Sequence, residues 1–147
     1  MAWLGVRCWK DRIALVVVED GEPPTVLFNR RHKAPARAED HGPHVLWFHR
    51  MVVEAIEETK PDGVAIRIAS VDPDQIRAEC EGAVAVAAAQ AKLPTMDLRQ
   101  QRMWNPLGVA DAKSTSWKAF LQIDPTISSL VGEEREAACA SLAASRR

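Results

Sequence analysis

The chain has 147 residues, 47% hydrophobic and 27% charged, and a net charge of −1. These totals fit one domain, 1–147, with its own core, and they exclude binding to nucleic acid through bulk positive charge. No run approaches the roughly 20 apolar residues of a membrane span and the N-terminus lacks a secretory pattern, so a cytoplasmic protein with no membrane partner is expected.

Residues 3–8, WLGVRC, alternate and are rich in β-formers. A short turn leads to 13–19, IALVVVE, a β-branched run. DGEPP at 20–24 has turn composition, and 25–31, TVLFNRR, gives a third strand. Two short connections between three strands predict an antiparallel meander. After a loop, Pro43 suits the first turn of a helix, and apolar residues at 45, 48, 52, 53 and 56 continue it at helical spacing. KPDG at 60–63 stops that helix. VAIRIAS, 64–70, reads as a buried parallel strand interrupted by Arg67.

A second helix is predicted from Asp72 as N-cap and Pro73 as first residue to about Lys92, before Pro94. TMDL, 95–98, is a fifth strand and WNPLG, 104–108, a loop. Ser114, Thr115 and Ser116 suit the N-terminus of a helix over about 114–122, and a last helix covers about 132–145. The order implies an α/β fold, a mixed five-stranded sheet of three antiparallel strands and then parallel ones, covered by helices on both faces.

Several stretches carry a likeness beyond element order. LGVRCW opens the chain, KPDGVAIRIAS follows the first helix, EGAVAVAAAQAKLPTMDL links second helix to fifth strand, and EEREAACASLAA opens the last helix. In order and spacing these resemble the RuvC group of Holliday-junction resolvases in the ribonuclease H-like superfamily, over nearly the whole chain. The resemblance implies four carboxylates clamping two metal ions that hydrolyse a nucleic-acid backbone. Here Arg7 and Arg67 stand at two of those positions, and Glu133 and Glu136 at the other two. A guanidinium is permanently charged and has no lone pair for a metal.

Strand alternation puts Trp3, Gly5 and Arg7 on one face, and Ala65, Arg67 and Ala69 on one face. If the two strands are neighbours, as the resemblance implies, the arginines lie together on a surface of small residues. Glu133, Glu136, Ala137, Ala140 and Ala144 form one helical stripe that suits it. The expectation is a pseudoenzyme, a binding or scaffold domain in which Arg–Glu ion pairs replace the metals, with no cofactor.

The partner expected is branched or single-stranded nucleic acid, held by Arg7 and Arg67 and by a basic stretch at Arg30, Arg31 and Lys33; the C-terminal SRR is a second basic stretch. An alternative is an active Mg²⁺- or Mn²⁺-dependent nuclease with relocated acids, drawn from Asp11, Glu19, Asp62, Asp97 and Asp111. Another is a protein-interaction subunit or homodimer using an apolar patch at Trp47 and Phe48. His32, His41, His44 and His49 cluster without a metal signature such as HExxH and read as loop and surface residues. Cys8, Cys80 and Cys139 are far apart, with no CxxC pair.

Overall fold

A computed structural model describes residues 1–68, 74–111, 113–114 and 117–147. Its sheet has the order β3-β2-β1-β4-β5. The strands are β1 (Trp3–Trp9), β2 (Arg12–Glu19), β3 (Thr25–Lys33), β4 (Gly63–Arg67) and β5 (Thr95–Leu98). β1, β2 and β3 form the antiparallel meander, while β4 runs parallel to β1 and β5 parallel to β4. The central strands β1, β2 and β4 bury nearly every residue, as their β-branched runs require.

Alternation along the strands divides the core in two. Leu4, Val6, Ile13, Leu15, Val17, Val64 and Ile66 face α1 (Gly42–Thr59) and α2 (Gln75–Gln90). Trp3, Ala14, Val16, Val18 and Ala65 face α3 (Gln100–Leu107) and α5 (Gly132–Ser145), with α4 (Pro125–Ser128) beside them. α5 approaches the sheet very closely. A Cβ on Gly5 would fall 1.8 Å from the carbonyl oxygen of Ala137, so only glycine admits the helix backbone there. Ser141 joins helix to sheet: its hydroxyl donates to the Trp3 carbonyl (2.6 Å) and accepts from the Val18 amide (2.9 Å). That amide lies where the pairing of β2 with β3 shifts register, between Val17 and Val18.

Four readings need correction. WNPLG is not a loop: α3 runs to Leu107 with Pro106 inside it. A proline lacks an N–H and orphans the carbonyl four residues back; here that carbonyl, on Arg102, accepts from Arg147 Nη2 at 2.8 Å. Gly108, at φ 75°, then ends the helix in the left-handed conformation. The helix predicted over 114–122 is a 3₁₀ turn at Trp117–Gln122; Thr115 and Ser116 lie outside the described residues. The described part of α2 starts at Gln75, with Asp74 as its N-cap accepting from the Ile76 amide at 3.0 Å, while Asp72 and Pro73, like Ala69 of the fourth strand, lie outside the described residues. Finally, Phe48 is wholly buried with Trp47 packed edge-on at 5.0 Å, so they form no exposed patch. The exposed apolar side chains of this face are Leu46 on α1 and Val86 on α2.

Candidate functional site

β1 and β4 run side by side with Val6 opposite Ile66, so Arg7 and Arg67, the next residue on each strand, stand together, Arg67 ending β4 and Arg7 two residues before the end of β1. Both are buried, at 4% and 3% exposure. Three elements enclose them: α5 from one face, the start of α2 from the other, and α3 beyond β5. Arg7 forms an ion pair with Glu136 of α5 and donates to the Arg67 carbonyl at 3.4 Å. Arg77 of α2 donates to the same carbonyl at 3.3 Å, and its Nε holds Glu81 one helical turn on, at 2.9 Å. Arg67 donates to the Ile68 carbonyl and, at 3.4 Å, to Oε1 of Gln100.

Glu133 is placed differently from the expected two-by-two set. It pairs with Arg12, which sits opposite Trp9 in the β1–β2 hairpin. The Trp9 ring ties the two pairs together. The guanidinium carbons of Arg7, Arg77 and Arg12 lie 4.5, 5.2 and 5.4 Å from its centroid, within cation–π range. Arg12, Arg77, Glu81 and Trp9 were not among the site residues expected from the sequence. The signal for Glu81 was present, since Arg77 and Glu81 are four apart on a helix; that for Arg12 was its place opposite Trp9 across a tight turn.

Burial sets the electrostatics. It pulls the Arg67 pKa down, against the opposing pull of Glu136 and Glu81. It pushes the Glu136 carboxyl up, against Arg67, Arg77 and Arg135, and the Glu81 carboxyl up, against Arg77. Burial likewise drives the thiol of Cys139, which the Glu136 charge reaches, far above its usual range.

These residues do not fit a divalent metal. The two strand positions carry guanidiniums without lone pairs, and the two α5 carboxylates are already engaged by Arg7 and Arg12. Among the described residues no group of three or more His, Cys, Asp or Glu converges as a ligand set. The relocated acids do not gather either. Asp62 accepts from the Ala2 amide at 2.7 Å, at the start of β4. Asp11 pairs with Arg12 in the β1–β2 turn, and Asp111 accepts from the Lys113 amide. Asp97 is opposite Ile66, on the α2 side of the sheet, and Glu19 is at the far end of β2.

The histidines are likewise dispersed. His41 contacts Glu79, His49 contacts Gln90, and His32 is on β3. His44 is buried and donates through Nε2 to the Lys10 carbonyl at 2.8 Å, pinning the β1–β2 turn to α1.

The basic stretch lies on edge strand β3. Arg30 pairs with Glu58 at 3.4 Å and Arg31 with Glu134 at 3.8 Å. Lys33 is exposed and stands opposite Arg12. With Lys10 in the turn, it forms a short basic row at the same end of the sheet as Arg7 and Arg67. The C-terminal arginines serve the fold: Arg146 pairs with Asp20 at 2.8 Å and Arg147 binds α3. No helix among the described residues is long and apolar enough to cross a membrane.

No known family model matches the chain, and no curated protein does. Solved structures do. Thermus thermophilus RuvC superposes with a TM-score of 0.79 at 18% identity, covering 99% of this chain and 94% of that one. T. thermophilus RuvC in complex with a Holliday junction substrate gives 0.78 at 20% identity, covering 97% and 92%. The chain therefore has the RuvC-like, ribonuclease H-like fold over nearly its whole length.

Proposed function

We propose that this chain is a non-cleaving RuvC-like domain that binds branched or single-stranded nucleic acid, with an Arg–Glu ion-pair network where the resemblance implies a two-metal site. The observation that carries this reading is the pair of buried arginines, Arg7 and Arg67, side by side on adjacent parallel strands, with Glu136 held by Arg7. Such a site supplies positive charge and directed N–H donors but nothing that lowers the pKa of water. A phosphate oxygen brought there is held, and the bond to it is not broken. Lys10, Arg12 and Lys33 extend the positive end of the sheet to neighbouring phosphates. In T. thermophilus RuvC the partner is a Holliday junction, and the same class of ligand is proposed for this chain.

The test is a titration of the purified protein with a four-way DNA junction and with single-stranded DNA and RNA, alongside a cleavage assay in Mg²⁺ and in Mn²⁺. Binding at low salt is expected, weakening steeply as salt rises, with the strands left intact. Metal-dependent cleavage overturns the non-cleaving reading. Failure to bind any of the three at low salt overturns the nucleic-acid reading.

A further inference from the structure

The buried charges at the strand ends do not balance. Arg7 has Glu136 and Arg77 has Glu81, each pair neutral in itself. Arg12 and Glu133 at the rim are also matched. Arg67 is left over. It is 3% exposed and, among the described residues, has no carboxylate within ion-pair distance. Two of its nitrogens reach neutral oxygens, on Ile68 and, at a long 3.4 Å, on Gln100; its buried Nε reaches none. Neutral oxygens disperse little of a full charge, and Glu136 and Glu81, each held by another arginine, act on Arg67 only from beyond ion-pair distance. Burial depresses the Arg67 pKa, and the more distant charges of Glu136 and Glu81 do not fully offset it.

We infer that Arg67 is the seat of a singly charged oxyanion and, resting on the nucleic-acid reading above, that this anion is one phosphodiester linkage of the bound strand. One negative charge neutralises the excess. A terminal phosphomonoester, approaching −2 at neutral pH, overshoots it. The guanidinium fork offers parallel N–H donors that match two phosphate oxygens, and the Nε without a partner belongs to that fork. The long contact to Gln100 is the one that yields when the anion enters. Lys10, Arg12 and Lys33 then meet flanking linkages less selectively, so one linkage is special and the others interchangeable. The same chemistry admits free inorganic phosphate, and the experiment separates the two sources.

Wild type and Arg67→Met are compared in two arms. In the first, thermal stability is read in sodium phosphate and in sodium chloride of equal ionic strength. Phosphate raises the wild-type Tm and leaves Arg67→Met unmoved, and in chloride Arg67→Met melts higher than wild type by about 3 °C, because an unpaired buried charge is gone. An internal counter-ion reverses that sign and overturns the proposal. In the second arm, single-stranded oligonucleotides carrying one neutral methylphosphonate linkage are scanned position by position. One position weakens wild-type binding about tenfold, a loss of about 1.4 kcal/mol, and does not weaken Arg67→Met.

Strong binding with no special linkage leaves the nucleic-acid reading standing and overturns this one. Phosphate stabilisation without binding to any strand does the reverse, assigning Arg67 to free phosphate. If Arg67→Met does not fold, the wild type alone decides: no stabilisation by phosphate over chloride, together with a flat linkage scan, overturns the proposal.

Discussion

Two small residues fix where the last helix can lie, and their consequences are measurable one side chain at a time. Gly5 is opposite backbone rather than a side chain, so nothing flexible can yield to a methyl group. Gly5→Ala is expected to destabilise by about 4 kcal/mol or more, the range reserved for severe overpacking, read from the urea midpoint. Ser141 presents the contrary case, a buried hydroxyl with both roles filled. Ser141→Ala leaves the Val18 amide and the Trp3 carbonyl short of a partner, and should lose about 2 kcal/mol in the same measurement. Arg7 and Arg67 were legible at this scale because alternation and the flanking apolar residues left them no exposed face. The partner of Glu133 was not. It depends on Arg12 standing across the hairpin from Trp9, which a turn one residue longer would change.

At the scale of elements, the apolar runs disclosed all five strands and the long helices, and the errors fell at element ends and in the short helical segments after β5. α3 was hidden because Pro106 reads as a breaker, and what permits it is Arg147, forty-one positions on, bonding the carbonyl that proline cannot serve. No local window contains that compensation. α4 was hidden for another reason: four residues are too few for a helical period. Its N-cap is nonetheless testable. Thr126 holds the Asp124 carboxyl below its ordinary value by hydrogen bonding, with its amide 2.8 Å away. A depressed carboxyl adds stability that is fully present above the unfolded value, about pH 4, and is lost as pH falls through the folded one. The wild type should therefore exceed Asp124→Asn in urea midpoint near neutrality, with the gap shrinking as the pH drops below 4. A gap independent of pH counts against the assignment.

For the whole molecule, the RuvC-like fold came through in the sequence because its order of strands and helices is spread along the chain. The site came through only in part. Its strand residues could be read from period two, but Arg77 looks in sequence like any solvated arginine in the first turns of a helix. Its burial follows from α2 starting over the ends of β1 and β4, which only tertiary packing decides. If the fold retains the geometry that the resemblance implies, charge reversal should recover a cation site. Arg7→Asp with Arg67→Glu joins two carboxylates to Glu133 and Glu136, and Mn²⁺ at a hundredfold over its Kd should then add about 2.7 kcal/mol of stability. Thermal melts with and without Mn²⁺ check this, with the wild type expected to show no shift. A double variant indifferent to Mn²⁺ shows that the enclosing helices have moved away from that geometry.

The close seat of α5 against Gly5 also bears on how the chain is made. Strands β1 and β2 leave the ribosome well before α5, the helix that covers one of their faces. The α1–α2 side can close once residue 90 has emerged, whereas the side bearing Gly5, Arg7 and Ala65 must wait for residues 132–145. Throughout that interval Arg7 is hydrated rather than paired. The nascent sheet therefore carries a positive charge on its bare face, a safeguard against sticking to other chains that disappears when Glu136 arrives.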